Sequence, residues 1–148
     1  MTLPVRNASL GPAAGLKNSE RLVVTLRLPP RILSPNARPN RHARDRAVHE
    51  YRQAAYLLAL TTIGRREPPR WPKARTTATF YFRDRRPRDG DNLLASLKPA
   101  FDGLADAGIV ADDSGLAHMP VEQRLDRANP RVEITVEPMG DPAGENHA

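Results

Sequence analysis

Alternating apolar and polar residues mark three stretches of the chain as half-buried β-strands. The first is RLVVTLRL at 21–28, and the stretches 74–83 and 131–138 alternate in the same way. Successive side chains of a strand point to opposite faces, so a period of two is typical of a sheet with one buried face. The stretch AHMPVEQRL at 117–125 predicts a further strand, which Pro120 weakens.

Two segments have the period of an amphipathic helix, and a glycine follows each of them. The first covers 43–62 and precedes Gly64, and the second covers 92–107 and precedes Gly108. Apolar residues spaced by three and four positions predict one buried stripe on each helix. The stripe of the first helix is Val48, Tyr51, Ala55 and Leu58, and that of the second is Leu94, Leu97, Phe101 and Leu104.

Together these elements predict a single α+β domain, with a small mixed sheet of about four strands packed by two main helices. The chain has 148 residues, enough for one domain with a core of its own. We place the domain at 21–137. Residues 1–20 mix Gly, Pro, Ser and Asn without apolar periodicity and are expected to form a disordered leader, and 138–148 a flexible polar tail.

Composition excludes several classes of chemistry. The chain has no cysteine, which rules out disulfides, thiolate zinc sites and cysteine nucleophiles. It has neither a long apolar run nor an N-terminal segment of signal-peptide type, so we expect no membrane partner and a cytoplasmic location.

Charge is divided unevenly along the chain. Residues 1–91 hold 19 Lys and Arg against 7 Asp and Glu, whereas residues 92–148 hold 4 against 10. A basic segment of this strength is typical of proteins that bind nucleic acid, although a basic surface without a ligand is the alternative. The candidate DNA contacts lie in the proline-rich loop 29–44 and in the turn 83–91: Arg38, Arg41, His42, Arg44, Arg85, Arg86 and Arg88.

Four acidic residues stand out against this basic background. Asp89 and Asp91 lie one residue apart in the sequence RPRDGDN, where an extended turn directs both carboxylates to the same side. Asp112 and Asp113 follow the second helix and are expected to turn back towards them. A cluster of hard oxygen ligands suits Mg²⁺ or Mn²⁺. The alternative is structural, with Asp91 as the helix N-cap and Asp89 as a turn residue.

Lys98 adds a cation close to these acids. In one continuous helix it lies about 20° around the axis from position 91, so it projects along the same edge. Its structural alternative is an i,i+4 ion pair with Asp102.

The run RDRRPRDGDNLLASLKPAFDGLADAGIVADDS resembles the RusA family of Holliday junction resolvases, many of them encoded by phages or prophages. The likeness extends weakly to LPPRILSPNARPNRHAR and to the closing RVEITVEP, and so spans roughly residues 22–137. Its most specific part is the combination of D-x-D-N, a helix with lysine and Phe-Asp, Ala-Gly and then Asp-Asp.

The resemblance implies a Mg²⁺-dependent homodimer with a mixed α/β fold that nicks two opposed strands of a four-way DNA junction, near the nucleoid of a bacterial cell. It assigns the metal to Asp89, Asp91 and Asp113, with Asp112 beside them, and the catalytic lysine to Lys98. The best-known members place that lysine four residues after the second acid, whereas Lys98 follows Asp91 by seven. A non-catalytic DNA-binding protein is the second hypothesis. A DxD sugar transferase is disfavoured by the small size and the basic half of the chain.

Overall fold

The computed structural model describes residues 20–139, which form a five-stranded sheet with helices packed against its buried face. The strands are β1 (Leu22–Leu26), β2 (Ala74–Phe82), β3 (Leu116–His118), β4 (Glu122–Leu125) and β5 (Arg131–Pro138). The helices are α1 (Arg41–Ile63), α2 (Gly90–Ser96) and α3 (Lys98–Asp106), and two short 3₁₀ turns occupy Arg31–Leu33 and Asp113–Gly115. Most of the predicted leader and tail, residues 1–19 and 140–148, lies outside the described residues.

The sheet is mixed, as the sequence predicted. Strand β5 pairs antiparallel with both β1 and β2, while β3 and β4 each pair parallel with β2. Alternate residues of the three long strands form cross-strand rows on the buried face, such as Val24, Ile134 and Ala78. The period-two pattern therefore reflects a sheet that packs its core on one side.

The single α+β domain is confirmed, but the predicted fourth strand is two separate strands. Strand β3 pairs with the beginning of β2 and β4 with its end, and Met119–Val121 stand between them. Proline has no backbone N–H to donate to a ladder, so Pro120 accounts for the interruption.

Helix α1 begins two residues earlier than predicted, because Asn40 is its N-cap and accepts a hydrogen bond from the Ala43 backbone N–H at 2.8 Å. Tyr51 and Ala55 are buried as predicted. The prediction for Leu58 is wrong, since Leu58 is exposed and Ala59 and Ile63 continue the buried stripe instead. The core-facing stripe of α1 thus follows a spacing of four, and two of its four buried residues are alanine.

The predicted second helix, 92–107, is broken into α2 and α3. The break falls at Leu97, whose backbone has φ −89° and ψ 0°. Pro99 has no N–H for the carbonyl four residues earlier, and the ring of a proline crowds the preceding turn. Pro99 therefore lies in the first turn of a new helix rather than continuing the old one.

Close packing of α3 against α1 is possible only because position 103 is glycine. A Cβ atom there would overlap the Arg52 carbonyl oxygen and lie 3.0 Å from both the Ala55 Cβ and the Tyr56 nitrogen. The two backbones therefore touch without an intervening side chain. Among residues 20–139, no helix is long and apolar enough to cross a membrane.

We expect Gly103→Ala to destabilise the domain by about 2 kcal/mol, because the helices must separate to admit the methyl group. Urea unfolding measures the change. Gly90→Ala is the matched control, since its new Cβ would meet only the Val121 side chain at 3.4 Å. Equal stability of the two variants would contradict the proposed contact.

Candidate active site

The Asp89–Asp91 turn stands at the start of α2, and its conformation is fixed by one carboxylate. Asp89 is the N-cap, and its Oδ1 accepts hydrogen bonds from the backbone N–H of Asp91 at 2.8 Å and of Asn92 at 3.4 Å. The alternative that Asp91 is the cap is therefore wrong. Asp91 lies in the first helical turn, and both acids are exposed. Negative charge at this end of a helix is favourable.

The turn is held against the sheet by the residues that flank it. Gln123 of β4 donates from Nε2 to the Arg88 carbonyl at 3.1 Å. The Arg88 guanidinium lies 3.7 Å from the centre of the Phe82 ring and pairs with Asp84 at 2.9 Å. Hydrogen bonds from the Arg86 amide and then from Arg88 lower the pKa of Asp84. The two acids thus follow a well-anchored turn.

Lys98 is the first residue of α3, and its Nζ lies 2.8 Å from Asp102 Oδ1. The i,i+4 ion pair predicted as its structural alternative is therefore present. The lysine side chain remains 68% exposed. The angular comparison between positions 91 and 98 does not apply, because the helix is interrupted at Leu97.

Asp112 and Asp113 lie at the second 3₁₀ turn, beside the beginning of β2. The segment before them pairs with the chain entering β2, through Trp71 N–H to the Ile109 carbonyl at 3.0 Å and Ala111 N–H to the Trp71 carbonyl at 2.9 Å. The Ser114 hydroxyl donates to Asp112 at 3.0 Å and lowers the pKa of that carboxyl. Asp113 is exposed.

The two acidic pairs are attached to different points of β2. Leu116, three residues after Asp113, pairs with Ala74, whereas Gln123, which holds the Arg88 carbonyl, pairs with Phe80. Six residues of strand, about 20 Å, separate these pairings. Within residues 20–139, no three His, Asp or Glu side chains gather closely enough to hold a metal ion. The acids offer suitable oxygen ligands, but as placed they do not form a three-carboxylate centre.

Asp113 instead lies near the ion pair that Arg52 and Asp106 form between α1 and α3. Arg52 donates from Nε and Nη2 to the two oxygens of Asp106, at 2.7 and 2.9 Å. The hydrogen bonds that Arg52 donates to Asp106, together with the negative charges of Asp106, Asp102 and Asp113, raise the pKa of Arg52. The third candidate acid is therefore on the Lys98–Asp102 side of the domain.

His118, which its isolation in the sequence indicates to be a surface residue rather than a ligand, is exposed and belongs to the same region. Its ring stacks on Phe101 with centroids 4.0 Å apart, and its Nδ1 lies 2.7 Å from the hydroxyl of Thr76, which is buried. Burial of the ring, and then the charge of Lys98, lower the pKa of His118. A neutral ring is thus favoured here. Because the histidine is isolated in the sequence, only the β2–β3 pairing reveals its surroundings.

The candidate DNA contacts differ in whether their charged groups are already engaged by other residues. Arg38, Arg41, His42, Arg85 and Arg86 are exposed. Arg44 is exposed but donates to the Ile32 carbonyl at 3.1 Å, which ties α1 to the proline-rich loop. Arg88 is engaged by Asp84 and Phe82. The available positive charge therefore lies mainly on the proline-rich loop, at the start of α1 and in the turn before Asp89.

A cavity of about 850 Å³ opens between the proline-rich loop and α2. Asp89 lies on its wall, so the acidic turn and the basic loop border the same opening. This is the arrangement expected if a polyanion is brought to the acids.

The family model for endodeoxyribonuclease RusA matches residues 35–137 of the chain. The chain belongs to the RusA family. The match includes the proline-rich loop from Pro35 onward, both acidic pairs, Lys98 and most of β5. Membership in this family of Holliday junction resolvases supports a nuclease that acts on DNA junctions.

A relative from Xylella fastidiosa (strain Temecula1) is 34% identical over 132 residues, which covers 83% of this chain and 79% of the relative. That relative is described as an uncharacterized protein, so it adds no functional detail. Its similarity extends over most of the chain.

Proposed function

We propose that the protein is a Mg²⁺-dependent, structure-selective endonuclease that resolves four-way DNA junctions by paired nicks in recombination and repair. The observation that carries the proposal is the exposed Asp89–Asp91 turn beside a basic loop, in a chain of the RusA family. The proposed setting is recombining DNA at the bacterial nucleoid, with an enzyme of the phage or prophage type.

The proposed catalytic residues are Asp89, Asp91, Asp113 and Lys98, with Asp112 beside the third acid. Carboxylate oxygens are the ligands that Mg²⁺ prefers, and Mn²⁺ accepts the same set. The separate placement of Asp113 argues against a preformed three-carboxylate centre. Cation dependence is therefore a proposal supported by the type of ligand and by the family, not by ligand geometry.

The proposed role of Lys98 does not require Mg²⁺. Its exposed ammonium group is held by Asp102 and can exchange this partner for a phosphate oxygen of DNA. A cation placed where negative charge develops stabilises the transition state of phosphodiester cleavage. We propose this charge neutralisation as the function of Lys98.

A DNA-binding protein without nuclease activity is the second candidate. It is favoured by the capping role of Asp89 and by the Lys98–Asp102 pair, both of which give these residues a structural purpose. The family match favours the nuclease. Cleavage assays separate the two candidates.

We expect Asp91→Asn to reduce Mg²⁺-dependent cleavage of a synthetic four-way junction by at least about a hundredfold while junction binding persists. The reason is the loss of a charged oxygen ligand with almost no change of shape. Gel-resolved cleavage with and without Mg²⁺, with linear duplex as the control substrate, measures the effect. Asp45→Asn, the same change at an exposed position of α1, should leave cleavage intact. Wild-type rates from Asp91→Asn would refute the assigned site.

Charge removal at Arg38 and Arg41 should weaken junction binding and flatten its salt dependence. Each lost phosphate contact reduces the slope of log K against log salt by about 0.9, so the double change to glutamine should reduce it by about 2. Titrations at several salt concentrations measure the slope. Arg65→Gln is the control, because Arg65 follows the far end of α1, about 35 Å along the helix. An unchanged slope would place the DNA-binding face elsewhere.

We also propose a homodimer, because paired nicks require two sites. Its support is the exposure of three leucines, Leu57, Leu58 and Leu60, in the second half of α1. Light scattering should return about twice the chain mass of 16.4 kDa. Leu57→Glu should shift the mass towards the monomer, whereas Ala128→Glu, on the exposed β4–β5 loop, should not. A monomeric wild-type mass would overturn this part of the proposal.

A further inference from the structure

The cavity between the proline-rich loop and α2 is larger than a phosphate contact requires. Its volume of about 850 Å³ lies in the range of roughly 300–1,000 Å³ that is typical of pockets for small organic molecules. Leu28 and Ile32 line it on the loop side, and Leu93 lines it on the α2 side. Phe80 and Phe82 of β2 are also among its lining residues, and their rings stack with centroids 5.6 Å apart.

The loop that forms one wall is anchored, which keeps the cavity open without a ligand. Leu33 is buried in the core, and Arg44 donates to the Ile32 carbonyl at 3.1 Å. Prolines at 29, 30, 35 and 39 restrict the backbone between these anchors. The wall is therefore preformed, and a ligand does not have to order it.

The chemistry of the lining suits a flat, partly polar molecule. Half-buried aliphatic side chains of the lining supply apolar surface against which a ring can pack. The two phenylalanine rings beneath them are buried, and the Arg88 guanidinium, which covers the Phe82 ring, offers a planar cation at the border. The Asn92 amide on the wall can both donate and accept hydrogen bonds, as the edge of a nucleobase requires.

Charge around the opening indicates that this molecule is part of a polyanion. Three exposed arginines belong to the lining: Arg31 and Arg38 on the loop side, and Arg86 before α2. A base that enters the apolar interior would leave its flanking phosphates close to these guanidinium groups. The single acid of the lining, Asp89, belongs to the proposed catalytic turn.

We propose that this cavity binds one unpaired nucleobase of the DNA substrate, next to the phosphodiester that Asp89 and Asp91 reach. The inference rests on the proposed function, which makes a DNA junction the ligand. A base at the branch point of a junction leaves its stack at lower cost than a base inside a continuous duplex. Capture of that base contributes selectivity for branched DNA and positions the strand relative to the acids.

The test uses the full-length protein and a four-way junction with 2-aminopurine at successive crossover positions, in EDTA so that no cleavage occurs. We expect a several-fold rise in fluorescence at one crossover position on binding, and none for the same strand in linear duplex. Ala37→Trp, which fills the cavity from the loop side, should abolish the rise and weaken junction binding about tenfold. Ala37→Leu should produce a smaller loss of both.

The matched control is Ala128→Trp on the β4–β5 loop, away from the cavity, which should behave as wild type. Thermal unfolding of each variant establishes that it is folded. If Ala37→Trp is not folded, Ala37→Leu decides the result. An undiminished fluorescence rise in folded Ala37 variants, or no rise at any crossover position with wild type, would overturn the inference. A parallel Mg²⁺ cleavage assay with the wild-type protein separates base capture from the nuclease proposal. If Ala37→Trp abolishes the fluorescence rise but the wild type cleaves no junction, base capture is retained and the nuclease is rejected. If the wild type cleaves junctions but the Ala37 variants keep the full fluorescence rise, the nuclease is retained and base capture is rejected.

Discussion

The contact between Gly103 and the backbone of α1 determines where the polar side chains of α3 can lie. With no side chain between the helices, Asp106 comes within 2.7 Å of Arg52, and Phe101 packs on the His118 ring at the sheet. Lys98 begins the same short helix, so its ammonium group stays near Asp102 and His118. A separation of the helices would disturb all of these neighbours together, although only Phe101 among them is part of the hydrophobic core.

Asp89 shows how one carboxylate can serve both fold and chemistry. Its Oδ1 accepts the two backbone hydrogen bonds that begin α2, which leaves Oδ2 free of those two amides. Asp89 therefore need not give up its structural role to offer an oxygen to a cation or to a water molecule. Asp91, whose side chain has no part in the cap, is the acid whose substitution reports on chemistry more than on stability.

The strands could be predicted from the sequence because each long strand has one face in the core and the other outside it. The helices were harder for two physical reasons. Alanine is weakly apolar, so the more hydrophobic Leu58, which is exposed, was predicted to continue the buried stripe in place of Ala59. Pro99 lay within an otherwise continuous apolar period, which masked the break at Leu97. The relation of Asp113 to Asp89 could not be predicted at all, since it depends on where β3 and β4 pair along β2.

The count of arginines overstates the charge available for DNA. Arg88 pairs with Asp84, Arg52 with Asp106, and Arg131 with Asp126 and Glu133, each at 2.7–2.9 Å. A paired guanidinium must give up its partner before it can bind a phosphate, and so gains less from the exchange. Arg31 and Arg38 of the proline-rich loop are exposed and border the cavity beside Asp89, as does Arg86, which is 71% exposed and lies 3.7 Å from Asp84. The positive charge available to DNA is therefore concentrated beside the cavity rather than spread evenly over the basic half of the chain. A DNA strand attracted to this charge would arrive next to the Asp89–Asp91 turn.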